Sequence, residues 1–289
     1  MSDPIESRIT LSSGLTLAYA EWPAVRADAQ TILLVHATGF HRRCWDAVVE
    51  RLTGYRVIAM DMRGHGLSEN TEAVAWDRFG EDLVGFVDAL GIEGAIGAGH
   101  SMGGYCMAIA AAERPDAFER IVLMDPVIMA PELYAARPEG LNGEAHPTSK
   151  RRNHWRDWQE MFERFEHRVP FSVWDRRVLE DYCRHGITPA EDGDGYVLAC
   201  PPYVEASIYL GSAATDIFGQ VARVRVPVTV LRARPRNPDR DAMDFSSSPT
   251  FEGLAARFPK GRDVHLPELT HFIPMQDPAL AADFILDLR

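Results

Sequence analysis

Gly97-Ala98-Gly99-His100-Ser101-Met102-Gly103-Gly104 stands between a short apolar run and an alanine-rich helical stretch, and holds Gly-x-Ser-x-Gly from Gly99 to Gly103. A serine hydroxyl is a weak nucleophile unless it is exposed, close to a base and beside donors that can stabilise an oxyanion. A sharp strand-to-helix turn meets the first and third needs, because it pushes the serine out of the sheet and aims backbone N–H groups at a substrate. The same turn crowds the positions two before and two after the serine, so both must be small. Both are glycine here, and the pattern predicts a nucleophilic Ser101 at the end of a strand.

Outward from this turn, short apolar runs alternate with helical periodicity. Ile9 to Leu11 and Leu15 to Tyr19 flank Ser12-Ser13-Gly14 and read as a β-hairpin. Strands are expected at Thr31 to Val35, Tyr55 to Met60, Gly94 to Gly99 and Ile121 to Met124. Helices are expected at Trp45 to Leu52, Trp76 to Leu90 and Met102 to Arg114. Continuous apolar strands alternating with helices imply an α/β fold, a parallel sheet with helices on both faces. From about Pro131 to Gly219 the strand runs vanish. Trp155, Trp158, Phe162 and Phe165 fall at helical spacing there, as do Phe171, Trp174, Val178 and Tyr182. The strand rhythm resumes at Val226 to Leu231, followed by a helix (Phe251 to Phe258), a strand (Asp263 to Leu266) and a terminal helix (Ala279 to Leu288). The interruption predicts a core of residues 1–130 and 220–289 with a helical cap, residues 131–219, inserted into it.

The bulk properties bound the function. A chain of 289 residues with 46% hydrophobic and 25% charged residues has the composition of a globular protein with a large core. Its formal net charge of −12 argues against nucleic acid or an anionic membrane as a partner. No secretory signal is visible at the N-terminus, and no apolar stretch approaches the roughly 20 residues that span a bilayer. The four cysteines, Cys44, Cys106, Cys183 and Cys200, have no metal or redox spacing and read as reduced thiols of a cytoplasmic protein. No phosphate loop or dinucleotide fingerprint is present, so the expected chemistry needs neither cofactor nor metal.

Ser101 needs a base. His271 follows the last expected strand and precedes the last helix, and loops at the carboxyl ends of parallel strands converge on one edge of the sheet. A neutral imidazole there can take the serine proton and return it to a leaving group.

With Gly-His-Ser-Met-Gly-Gly, two further motifs follow strands: His36-Ala37-Thr38-Gly39-Phe40 and Asp61-Met62-Arg63-Gly64-His65-Gly66-Leu67-Ser68. In this order the three resemble the α/β-hydrolase superfamily over nearly the whole chain. The resemblance implies an α/β-hydrolase fold and an oxyanion hole made by the backbone N–H groups of Thr38 and Met102. Ala37 stands where the family usually has glycine, and the Asp61 to Ser68 loop reads as a structural turn under the site. Most members carry the triad acid after the strand corresponding to Val226 to Leu231, but here Arg232-Ala233-Arg234-Pro235 occupies that turn. The resemblance therefore points first to Asp125, at the end of the strand before the cap, and second to Asp244.

The substrate is less legible. Lys150, Arg151, Arg152, His154 and Arg156 read as a solvated basic face rather than a patch that steers anionic substrates. The aromatic stripe reads first as the cap's own packing, yet a cap must line part of a pocket, so Trp155 and Trp158, with Phe40, are candidates to line it. The expectation is a small-molecule carboxylic ester with an apolar acyl or aromatic group. The alternatives are a C–C bond hydrolase of ring-cleavage dienoic acids, a lactone or thioester hydrolase, and a ligand-binding receptor of the same fold.

Overall fold

The computed structural model describes residues 3–69, 75–135, 146–212, 215–235 and 246–289. Among these residues eight strands form one sheet in the order β1-β2-β4-β3-β5-β6-β10-β11. They are β1 (Ile5–Thr10), β2 (Thr16–Trp22), β3 (Thr31–Val35), β4 (Arg56–Met60), β5 (Ala95–His100), β6 (Phe118–Met124), β10 (Val228–Arg232) and β11 (Gly261–His265). The β1–β2 and β2–β4 pairs are antiparallel and the pairs from β4 through β11 are parallel.

Alternation along the strands explains why their sequences are apolar throughout. Leu33 and Val35 of β3 pack into one core with Ile58 and Met60 of β4, whereas Ile32 and Leu34 pack into a second with Val57 and Ala59. Successive side chains point to opposite faces, so a strand with both faces covered has no polar positions to show. Helix α1 (Trp76–Leu90) and helix α2 (Met102–Glu113) contribute to the first core, and α6 (Pro278–Ile285) closes the second.

Among the described residues between β6 and β10, no strand joins this sheet. This segment forms α3 (Trp158–Phe165), α4 (Arg176–His185) and α5 (Pro202–Gly211), and a separate sheet of β7 (His154–Trp155), β8 (Ile187–Pro189) and β9 (Tyr196–Leu198) in the order β7-β9-β8. A third hydrophobic cluster joins Met161, Val178 and Tyr182 of this segment to Phe40 and Phe272 of the loops above the main sheet and to Met275 of the short helix Ile273–Gln276. The small sheet is a departure from the expectation of helix alone. Its strands are two or three residues long and too short to show a period. A second correction is at Phe251 to Phe258, where only a 3-10 turn, Ala255–Arg257, forms. Gly253 interrupts that run and Pro259 follows it, and both oppose a helix. The Trp45 to Leu52 helix is shorter too, a 3-10 turn over Arg42–Trp45 followed by one α-turn, Asp46–Val49. Among the described residues no helix is long and apolar enough to cross a membrane.

Two buried histidines brace the loop after β3. The Met62 N–H donates to His36 Nε2 at 2.9 Å, and His36 Nδ1 donates to the Ala37 carbonyl at 2.7 Å. The Gly39 N–H donates to His65 Nε2 at 2.9 Å, and His65 Nδ1 donates to the Arg63 carbonyl at 2.8 Å. Beneath them Asp61 accepts the N–H groups of Arg42 (2.7 Å) and Leu67 (2.8 Å) and pairs with the Arg42 guanidinium.

Each imidazole accepts one bond and donates one, so each must stay neutral. Burial pushes His36 down from 6.5 to about 4, with nearby Arg42 in the same direction, and burial with the neighbouring His36 pushes His65 to about 3. In the unfolded chain both take up protons near 6.5, so the unfolded state binds more protons as the pH falls and stability declines. Asp181, raised to about 7 by burial and by Asp46, works in the opposite sense. The midpoint of thermal unfolding is expected to fall between pH 6.5 and about 4. In His65→Gln, whose amide can accept the Gly39 N–H without titrating, it should fall less. A fall in His65→Gln as large as that in the wild type would contradict the brace.

Candidate active site

The reversal of strand order lies at β3. The chain runs from β3 to β4 on one side, then crosses to β5 on the other, leaving a crevice at the carboxyl ends of β3 and β5. Val35 and Gly99 are in register across that junction, so the loops carrying Thr38 and Ser101 emerge side by side.

Ser101 sits in the turn from β5 to α2 with φ 57° and ψ −117°, a conformation that L-residues rarely adopt. The turn closes because its flanks are glycine. A Cβ at Gly99 would lie 2.3 Å from the Gly103 carbonyl oxygen, and one at Gly103 would lie 2.2 Å from the Val35 carbonyl oxygen. Residues this close are backbone and have nowhere to move.

His271 Nε2 is 3.0 Å from Ser101 Oγ, and His271 Nδ1 is 2.7 Å from Asp125 Oδ2. The carboxylate accepts, so Nδ1 carries the proton and the Nε2 lone pair faces the serine hydroxyl. Asp125 is fully buried, and its other oxygen accepts the Ala233 N–H (3.0 Å) and the hydroxyls of Ser248 (2.5 Å) and Thr250 (3.2 Å). The Ala233 N–H and the Ser248 hydroxyl on Oδ1 turn Oδ2 toward the imidazole, and the Thr250 hydroxyl divides its hydrogen between Oδ1 and the Pro126 carbonyl at 2.7 Å. Asp125 therefore meets His271, while Asp244 lies outside the described residues.

The backbone of His271 is held as well. Its N–H donates to the Ser246 carbonyl at 3.2 Å, and its carbonyl accepts from His100 Nε2 at 2.8 Å. Burial and the neighbouring His271 keep His100 well below its ordinary pKa, so this ring is neutral with its proton on Nε2. His100 acts here as a strut. Sequence reasoning did not find Ser248, Thr250 or this strut, since each contact joins residues more than 120 positions apart.

Thr38 and Met102 are brought together: the Thr38 hydroxyl contacts Met102 Sδ at 3.4 Å. Met102 is the first residue of α2, where backbone N–H groups have no partner within the helix. The Thr38 carbonyl accepts from the Tyr209 hydroxyl of α5 at 3.5 Å. Ala37 has an ordinary negative φ, which removes any need for glycine at that position.

A cavity of about 460 Å³ adjoins the site. Phe40 and Trp155 line it, and so does Phe272, next to His271 in sequence; Ser101 and His271 do not. Trp158 does not line it: the Arg184 guanidinium lies over its ring at 4.5 Å. The basic stretch divides in the same way. Lys150, Arg151 and Arg152 line the cavity, while Arg156 points to solvent and pairs with Asp157. Arg151 bonds Glu205 at 2.5 Å and the Tyr182 hydroxyl at 3.2 Å. Burial opposes its charge, but Tyr182 and Glu205 more than offset that and hold it well above the usual arginine range.

The sequence profile of the alpha/beta hydrolase family matches residues 32–284. Among curated proteins, the chain is 30% identical over 169 residues to a bifunctional esterase/perhydrolase of Acinetobacter calcoaceticus, covering 56% of this chain and 58% of that one. It is 39% identical over 79 residues to the sn-1-specific diacylglycerol lipase of Mus musculus, covering 27% of this chain and 25% of that one. The chain thus spans from a quarter to little more than half the length of these relatives. Among solved structures, E-2-(acetamidomethylene)succinate hydrolase superposes with a TM-score of 0.77 at 21% identity over 98% of each chain. A thioesterase domain from the curacin biosynthetic pathway superposes with a TM-score of 0.74 at 17% identity, over 99% of this chain and 100% of that one. At these identities the superpositions speak for the fold alone. By the extent of the family match, the chain belongs to the alpha/beta hydrolase family.

Proposed function

We propose that this protein is a serine hydrolase that cleaves carboxylic esters through an acyl-enzyme. The observation that carries the reading is the line Ser101–His271–Asp125, with 3.0 Å from Oγ to Nε2 and 2.7 Å from Nδ1 to Oδ2. Ser101 Oγ attacks the ester carbonyl while His271 Nε2 takes its proton. The carbonyl oxygen becomes an oxyanion, held by the N–H groups of Thr38 and Met102. Collapse of the tetrahedral adduct breaks the bond to the alcohol, which leaves with the proton from Nε2. Water then attacks the acyl-serine, gives a proton to the same nitrogen, and the acid departs as Oγ regains its proton. Asp125 keeps the imidazole in one tautomer and offsets the imidazolium that forms at each addition.

Residues 131–219 serve as the cap over this site, and the third hydrophobic cluster, shared with Phe40 and Phe272, supports that role. The names of two relatives, an esterase/perhydrolase and a diacylglycerol lipase, also favour ester chemistry.

The test is turnover of a chain-length series of p-nitrophenyl esters. Ser101→Ala is expected to abolish turnover above background. Asp125→Asn should lower kcat by about 10⁴-fold, because the imidazole loses tautomer control and counter-charge. Near wild-type turnover in Asp125→Asn would pass the acid role to another carboxylate, and equal rates in Ser101→Ala would end the proposal.

A further inference from the structure

The charge of the cavity runs against the charge of the chain. The protein has a formal net charge of −12, yet five cations (Lys150, Arg151, Arg152, Arg164 and Arg168) line the cavity with one carboxylate, Glu205. Two of the five are already balanced, Arg151 by Glu205 at 2.5 Å and Arg152 by Glu160 at 2.7 Å. Lys150, Arg164 and Arg168 form no ion pair among the described residues, and all three are exposed.

Their position relative to the reacting serine follows from the aromatic wall. Ring contacts lead away from His271 through Phe272 (5.5 Å), Trp174 (5.2 Å), Phe171 (4.9 Å) and Phe165 (4.4 Å). Arg164 precedes Phe165 at the end of α3, and Arg168 follows within the next turn. A continuous aromatic wall thus runs from the ring beside the base to three cations that form no ion pair among the described residues. The three cations are exposed and so are screened by salt, but lining one cleft concentrates their field there.

We propose that the cavity selects esters whose acyl chain ends in an anion, with the chain against Phe272, Trp174 and Phe165 and the anion on Arg164, Arg168 and Lys150. The apolar part of the acyl group remains as expected; the anionic terminus replaces the simple apolar end. The chemistry of cleavage rests on the serine-hydrolase reading, whereas the preference for an anion rests on the cavity alone. Carboxylate and phosphate both match the guanidinium fork.

The experiment compares kcat/KM for p-nitrophenyl hexanoate, mono-p-nitrophenyl adipate and a phosphonate-ended ester of similar length, at low and high salt. The wild type is expected to prefer an anion-ended ester by about tenfold or more at low salt, the scale of charge focusing in a cleft. The preference should shrink at high salt and approach unity in Arg164→Gln/Arg168→Gln. The better of the two anionic esters identifies the anion. Equal or greater kcat/KM for the hexanoate in the wild type would overturn the inference and leave the hydrolase reading standing. If the wild type turns over no ester, that reading fails, and selectivity is read instead from quenching of the cavity tryptophans by phenylhexanoate and by phenylhexanol. Saturation at lower concentration of the carboxylate would support the inference, and equal saturation would overturn it.

Discussion

A side-chain carbon at position 103 would stand 2.2 Å from the carbonyl oxygen of Val35, and one at position 99 would stand 2.3 Å from the carbonyl oxygen of Gly103. Because neither carbon exists, α2 can start almost against the end of β3, and the chain can reverse over Ser101 at φ 57°. Everything at the site depends on this close approach. It lifts the serine to the carboxyl edge of the sheet and sets the start of α2, whose first N–H groups have no partner within the helix, beside the loop that bears Thr38. Backbone strain of this kind persists where the surroundings over-determine it. Here they do: the Ser101 carbonyl accepts from Gly104, Tyr105 and Val127, and its N–H donates to Met124.

The imidazole is positioned by a different set of strands. Asp125 extends from the end of β6 with φ 48°, Ala233 follows β10, and His271 comes after β11. Parallel pairing of these three strands brings their carboxyl ends together, and the hydroxyls of Ser248 and Thr250 complete the hold on the carboxylate. The geometry of Ser101, His271 and Asp125 is thus set by the sheet, while most of the cavity beside it, Phe40 and Phe272 apart, is lined by the segment between β6 and β10. These parts can vary separately, which is how one fold accommodates many substrates.

What could be read from the sequence follows the same division. The parallel strands were legible because burial of both faces leaves a continuous apolar run, as at Thr31 to Val35, and α1 because its apolar residues keep to one stripe. The elbow was legible because a steric requirement leaves a mark on specific residues. Asp125 was legible only as a carboxylate at a strand end beside a second candidate, since the donors that aim it come from beyond β10. The strands β7 to β9 were too short to show a period. The basic stretch was legible as an exposed face, but spacing along one segment does not say that Lys150, Arg151 and Arg152 also border a cavity with Arg164 and Arg168 while Arg156 pairs with Asp157.

The central claim is that Ser101 is a nucleophile activated by His271. Intact-mass analysis after incubation with a serine-directed fluorophosphonate tests it without knowledge of the substrate. A single covalent adduct is expected on the wild type, mapped to the peptide containing Ser101 and absent from Ser101→Ala. An unchanged wild-type mass, or an adduct that persists in Ser101→Ala, would contradict it.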